Sequence, residues 1–272
     1  MATTCYRHSN RETAVGCSNC GNPICPDCMT STSVGMRCPD CAGQRTKLIR
    51  PAFGSSFADG AAPVTTALIA INVAVALIGF LIDGSFEGSR LHIDGYLNGP
   101  AIDRGGEWWR IITSGFLHYG VLHLAFNTFA LYMLGRLLES AIGAPRFAGI
   151  YFASLFCGSF GALFLDPHAA TVGASGAVFG VFGASFVVLR DRGFDQVASQ
   201  VGLLIGVNLV FSFTVGSISV GGHLGGLAGG ALLGALITRL DRATAAKQGV
   251  RIAVGACAAL AAAAFAACLV VA

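Results

Sequence analysis

The sequence predicts an all-α membrane protein of many spans, preceded by a small metal-binding head. Charged residues make up only 11% of the chain and hydrophobic ones 54%, whereas ordinary soluble domains hold roughly 25% charged residues. Several apolar stretches reach the length needed to cross a bilayer. Seven of the ten cysteines fall before residue 42, so they read as one unit. The net charge of +3 is too small to imply an anionic partner. The polar, cysteine-rich opening does not read as a secretory signal.

Within the head the pairs are Cys5-x2-His8, Cys17-x2-Cys20, Cys25-x2-Cys28 and Cys38-x2-Cys41. A two-residue gap lets two ligands turn onto one tetrahedral metal, and eight such ligands suit two structural zinc ions. The short segment from Gly21 to Ile24 favours a cross-braced arrangement. Cys5, His8, Cys25 and Cys28 would hold one ion, and Cys17, Cys20, Cys38 and Cys41 the other; pairing in chain order stays open. A segment of ~40 residues buries little core, so metal binding would supply much of its folding energy. The rival is a disulfide framework, which needs an oxidising compartment and conflicts with the cytoplasmic placement derived below. The head, residues 1–41, resembles a B-box or related cross-brace zinc finger. Over residues 1–50, six basic and three acidic side chains, seven thiolates and two dications leave no net charge. Nucleic-acid modules are clearly basic, so a protein partner is expected and nucleic acid is not. Residues 42–62, with Pro51, Gly54 and Gly60, read as a linker.

Apolar runs then cover residues 64–82, 119–138, 147–165, 171–189, 197–215, 219–238 and 252–271. The first six form a core over residues 63–240, and residues 241–272 add a loop and a seventh span. Eleven Lys and Arg residues flank one side, Arg50, Arg136, Arg190 and Lys247 among them, against Arg90, Arg104 and Arg110 on the other. The bias predicts a multi-pass protein of the cell membrane with the N-terminus cytoplasmic and the C-terminus outside.

Spans two, four and six then run in one direction. Ser175 and His223 each lie four residues into their runs, ~6 Å below the outer helix ends. His123 falls at a similar depth, with Asn127 one turn deeper on the same face. Small residues repeat every four positions as Gly176, Gly180 and Ala184 in span four and Gly222, Gly226, Gly230 and Gly234 in span six. Taken alone they mean close helix packing; with a histidine in the same helix, which is costly in lipid and usually functional, they form a platform that brings Ser175 to His223.

Trp109-Arg110, His118-x4-His123-x3-Asn127, Gly173-x-Ser175-Gly176 and His223 before Gly225-Gly226 resemble the rhomboid family of intramembrane serine proteases, over roughly residues 63–240. The resemblance implies a six-helix core with a seventh helix appended, and a catalytic Ser175–His223 dyad needing no cofactor. Ser175 is the implied nucleophile and His223 the general base. The Ser175 N–H with the His123 and Asn127 side chains is the implied oxyanion hole. The implied substrates are transmembrane segments of other membrane proteins. Arg110 would brace the loop from Asp83 to Arg110, and span five with Phe211 and Phe213 would admit substrate. Where some members carry tyrosine, this chain has Phe179, which keeps a ring to stack on His223. His118 is expected to anchor a loop by a hydrogen bond, and His92 and His168 to be solvated. Cys157, Cys257 and Cys268 are expected to act as apolar packing residues, and Glu139 to pair with Arg136. Two other classes compete: a non-catalytic relative that binds membrane helices, which would lack the serine or the histidine, and a transporter, whose internal repeats are not evident.

Overall fold

In a computed structural model, residues 3–32, 35–42 and 62–272 are described. The linker expected at residues 42–62 lies outside them, apart from its two end positions. The chain divides into two compact units, Met1–Gly54 and Ser55–Ala272.

Among its described residues the first unit has almost no conventional core. Strands β1 (Thr3–Cys5) and β2 (His8–Thr13) pair antiparallel, as do β3 (Thr30–Thr32) and β4 (Gly35–Arg37). A one-turn helix, α1 (Pro39–Ala42), follows. The buried cluster consists of Cys5, Cys17, Cys25, Cys28, Cys38 and Cys41 with Ile24 as its one aliphatic member. Where thiols replace the aliphatic core, a bound metal is the natural source of folding energy.

The second unit is a helical bundle: α2 (Pro63–Asp83), α6 (Gly120–Ile142), α7 (Ala144–Leu165), α8 (Ser175–Asp191), α9 (Asp195–Thr214), α10 (Val220–Ala243) and α11 (Ala246–Val271). Three short helices, α3 (Arg90–Gly95), α4 (Gly99–Gly105) and α5 (Arg110–Thr113), lie between α2 and α6. Six of the long helices are long and apolar enough to cross a membrane. The seventh, α8, has 17 residues and is ~25 Å long. The expected span at 171–189 is thus corrected at its N-terminal end. Gly173 has φ +128°, which no helix accommodates, and Thr171 is bridged to Leu97 instead. The helix therefore begins at Ser175 itself rather than four residues earlier.

Half of α7 and of α10 is buried inside the bundle, against 17% of α9 and of α11. The buried helices touch backbone to backbone. A Cβ added at Gly226 would collide with the Gly176 carbonyl, and one at Gly230 with the Gly180 backbone; at Gly234 it would lie 3.0 Å from the Ala184 Cα. That is the four-residue register expected between spans four and six. A second register, offset by one residue, packs α10 on α7: Gly221 and Gly225 meet the Gly161 and Cys157 carbonyls.

Polar groups close the ends. Glu139, expected to pair with Arg136, instead caps the first turn of α2. Its carboxylate accepts from the Val64 N–H at 3.0 Å, the Thr65 N–H at 2.8 Å and the Thr65 hydroxyl at 2.7 Å. These N–H groups have no partner within their helix, and a carboxylate suits the positive helix end. Arg136 lies over the Tyr132 ring. Arg146 of α7 pairs with Asp241 of α10 at 2.7 Å.

A side chain at Gly226 should be costly by overpacking, by ~1–3 kcal/mol. Gly226→Val is expected to lower the unfolding temperature of detergent-solubilised protein. Gly255→Ala, where an added Cβ meets nothing within 4 Å, should not lower it.

Candidate active site

Ser175 is the first residue of α8, after a segment fixed from both sides. The Gly173 N–H donates to the Ser114 carbonyl at 2.9 Å, and Leu97 and Thr171 exchange bonds of 2.9 and 3.1 Å. As a first-turn residue, Ser175 presents an N–H that no helical carbonyl claims, at the positive end of the helix. The side chain is half-buried.

His223 is 7% exposed and sits in the first turn of α10. Its ring stacks on Phe179 with centroids 4.0 Å apart, as expected for the aromatic at that position. Phe179 is one turn beyond Ser175 on the same face of α8, which puts the imidazole beside the serine. No hydrogen bond joins Ser175 and His223 among the described residues. Such bonds often form only in the substrate complex.

From α6, His123 reaches the same place. A Cβ built on Gly173 would lie 2.8 Å from both Cε1 and Nε2 of His123, and 3.6 Å from the Ser175 hydroxyl. The imidazole therefore rests against the glycine two residues before the serine, and only glycine leaves it room. Asn127 is buried one turn deeper, but its amide donates to the His123 carbonyl at 3.0 Å, within its own helix. That bond uses one of its two N–H groups and leaves the other available.

Both flanking histidines are buried, and the anchoring role falls to His92. His92, expected in solvent, is 5% exposed because the first turn of α3 folds it under Tyr119, ring on ring at 5.3 Å. Its Nε2 donates to the His118 carbonyl at 2.9 Å, which leaves Nδ1 to accept from the Ser89 hydroxyl at 2.8 Å. His92 thus makes the loop-anchoring bond expected of His118. The His118 ring is buried with its nitrogens outside hydrogen-bonding geometry and packs edge-on against His123 at 5.0 Å. Burial, with His123 beside it, pushes the His118 imidazole down to about 3, so it is neutral. His168 is exposed. Cys257 and Cys268 are buried as packing residues. Arg110 braces the loop as expected, donating to the Ile93 and Tyr96 carbonyls at 3.0 Å each and pairing with Glu107.

In the head, the ligand atoms of Cys5, His8, Cys25 and Cys28 lie within 4.8 Å of one another, as do those of Cys17, Cys20, Cys38 and Cys41. These are the two sets of the cross-braced arrangement. Zinc bond lengths and tetrahedral angles require ~3.6 Å between nitrogen and sulfur and ~3.8 Å between two sulfurs. His8 Nδ1 lies 3.3, 3.4 and 3.9 Å from the sulfurs of Cys25, Cys28 and Cys5, and Cys20 and Cys38 are 3.8 Å apart. One nitrogen cannot hydrogen-bond three thiols at once, whereas a cation between them satisfies all four. The Cys38 N–H donating to Cys17 holds that thiol down to about 6, in the thiolate form that zinc takes. The residues fit the metal.

A family model described as the Rhomboid domain matches residues 105–240. The chain is 42% identical over 128 residues to "Rhomboid protease GluP" of Bacillus subtilis, covering 46% of this chain and 25% of that protein. It is 35% identical over 175 residues to "Putative rhomboid protease YdcA" of the same organism, covering 63% and 86%. To "Rhomboid-like protease 1" of Toxoplasma gondii it is 34% identical over 152 residues, covering 52% and 51%. The chain thus spans a quarter of the first relative and about half of the third.

Metal analysis of freshly purified, reduced full-length protein should return about two zinc ions per chain. Cys25→Ser should lower that to about one. Protein carrying no zinc would contradict the assignment of the eight ligands.

Proposed function

The chain belongs to the rhomboid family, and we propose that it is an intramembrane serine endopeptidase that cleaves other membrane proteins in or near their transmembrane segments. The observation that carries this reading is that His123 and Ser175 meet at Gly173 while His223, from a third helix, stacks on Phe179 one turn beyond Ser175. A bundle needing only packing would not place three polar side chains there, since each is costly in hydrocarbon.

In the proposed reaction Ser175 Oγ attacks the scissile carbonyl carbon while His223 takes the hydroxyl proton. The carbonyl π pair moves onto oxygen. The Ser175 N–H, with N–H groups of His123 and Asn127, receives that charge, aided by the positive end of α8. Collapse breaks the C–N bond, and the leaving amine takes the proton from His223. A water then repeats the sequence on the acyl-enzyme, with His223 again the base.

The zinc-bearing head, residues 1–41, is proposed to be cytoplasmic and to meet a protein partner, since residues 1–50 carry no net charge with two zinc ions bound. The remainder divides into the protease core at 63–240 and the seventh helix, with the C-terminus outside.

In liposomes containing a model transmembrane substrate, Ser175→Ala and His223→Ala should each abolish cleavage, a loss of ~10⁴ to 10⁶ in rate, while unfolding at the wild-type temperature. Gly173→Ala should displace the His123 imidazole and slow cleavage by about 10² to 10³, the cost of one oxyanion donor. Cleavage by Ser175→Ala at the wild-type rate would overturn the reading.

A further inference from the structure

The reaction above requires a lone pair on His223 Nε2. A neutral imidazole carries its one proton on either nitrogen, so half of the possible ground states are useless. A group must hold the proton on Nδ1. Rhomboid-type sites are read as dyads, and among the described residues no carboxylate bonds His223.

Ser212 fills that place. It lies on α9, near the end next to His223, and is 2% exposed. Its Oγ stands 2.7 Å from His223 Nδ1 and also 2.7 Å from the Asn208 carbonyl oxygen one turn earlier. A hydroxyl has one proton and a carbonyl can only accept. Satisfying both contacts leaves one assignment. The hydroxyl donates to Asn208, and its oxygen accepts from His223 Nδ1–H. Nε2 is then unprotonated.

We infer that Ser212 is a positioning residue that fixes His223 in its Nδ1–H tautomer, so that Nε2 holds the lone pair that takes the Ser175 proton. This rests on His223 being the general base. When Nε2 accepts that proton and the imidazolium forms, Nδ1 remains a donor and Ser212 remains its acceptor. No proton leaves the ring on that side, and the Asn208–Ser212–His223 chain is unchanged through the cycle. The neighbouring side chains do not substitute for it: Phe179 covers the ring face and has no polar atom. The hydroxyl comes from α9, whereas His223 belongs to α10, so the tautomer depends on α9 staying seated. The flanking Phe211 and Phe213 are exposed, and only the serine between them turns inward.

The test compares full-length wild type, Ser212→Ala, Ser212→Thr and Ser199→Ala in detergent. Ser199 makes the same kind of bond to the carbonyl one turn earlier in α9, to Asp195 at 2.8 Å, with no histidine attached. The first readout is the rate of labelling by a fluorophosphonate, resolved into a saturation constant and a maximal rate. Ser212→Ala should lower the maximal rate about ten- to a hundred-fold, the cost of leaving a buried donor unpaired, with the saturation constant unchanged. Ser212→Thr, which keeps the hydroxyl, should recover most of the rate, and Ser199→Ala should match wild type. The second readout is ¹⁵N NMR of histidine-labelled protein, with the His223 signals assigned by their loss in His223→Ala. Wild type should show a protonated Nδ1 and a bare Nε2, and Ser212→Ala a mixture or the reverse. A protonated Nε2 in wild type, or labelling of Ser212→Ala within two-fold of wild type, overturns the inference. NMR decides the tautomer even if wild type fails to label, an outcome that counts against the proteolytic reading alone.

Discussion

Between α8 and α10 the contact is made by backbone. Gly158, Gly176 and Gly222 come together from three helices, with a Cβ built on Gly158 only 3.0 Å from the Gly222 carbonyl oxygen and 3.1 Å from the Gly176 Cα. The serine at position 175 and the histidine at position 223 are the immediate neighbours of two of these glycines. Any side chain at the junction would separate the helices and with them the two polar residues. In a bilayer, where apolar side chains gain little by leaving lipid for one another, close backbone approach is a principal source of helix association. The same feature that holds the bundle together therefore sets the spacing of the site.

Around that junction each polar group is held by a separate element. The Arg110 bonds brace the loop between α2 and α6, and the Leu97–Thr171 bridge ties that loop to the segment before Ser175. His92 fastens the same loop to the His118 carbonyl. Gly173, by its positive φ, turns the chain so that α8 starts on the serine. The result is an N–H at a helix terminus facing a histidine from α6, with a second histidine from α10 alongside. Each of these side chains is either hydrogen-bonded or packed ring on ring, which is how a bundle tolerates polar groups below its surface.

Much of this could be read from residues alone, because the signals are coarse and redundant. Apolar runs of spanning length give the helices, and the four-residue spacing from Gly222 to Gly234 gives the α8–α10 contact. The Cys-x2-Cys and Cys-x2-His pairs give two ligand sets. What stayed hidden depends on single backbone angles or single protons. The start of α8 at Ser175 turns on the conformation of Gly173. His92 is buried by a six-residue helix too short to leave a periodic pattern. Glu139 caps a helix 75 residues earlier in the chain, a pairing that no local spacing reveals. Ser212 looks like filler in an apolar run until its neighbours, Asn208 and His223, are seen together.

The central claim is that Ser175 is a nucleophile activated by a histidine on another helix, and mass-spectrometric mapping of the residue modified by a fluorophosphonate tests it most directly. The account predicts one adduct, on Ser175, in wild-type protein, and none in His223→Ala, whose serine is intact but lacks its base. An adduct on any other residue, or equal modification of Ser175 in the His223→Ala protein, would contradict it.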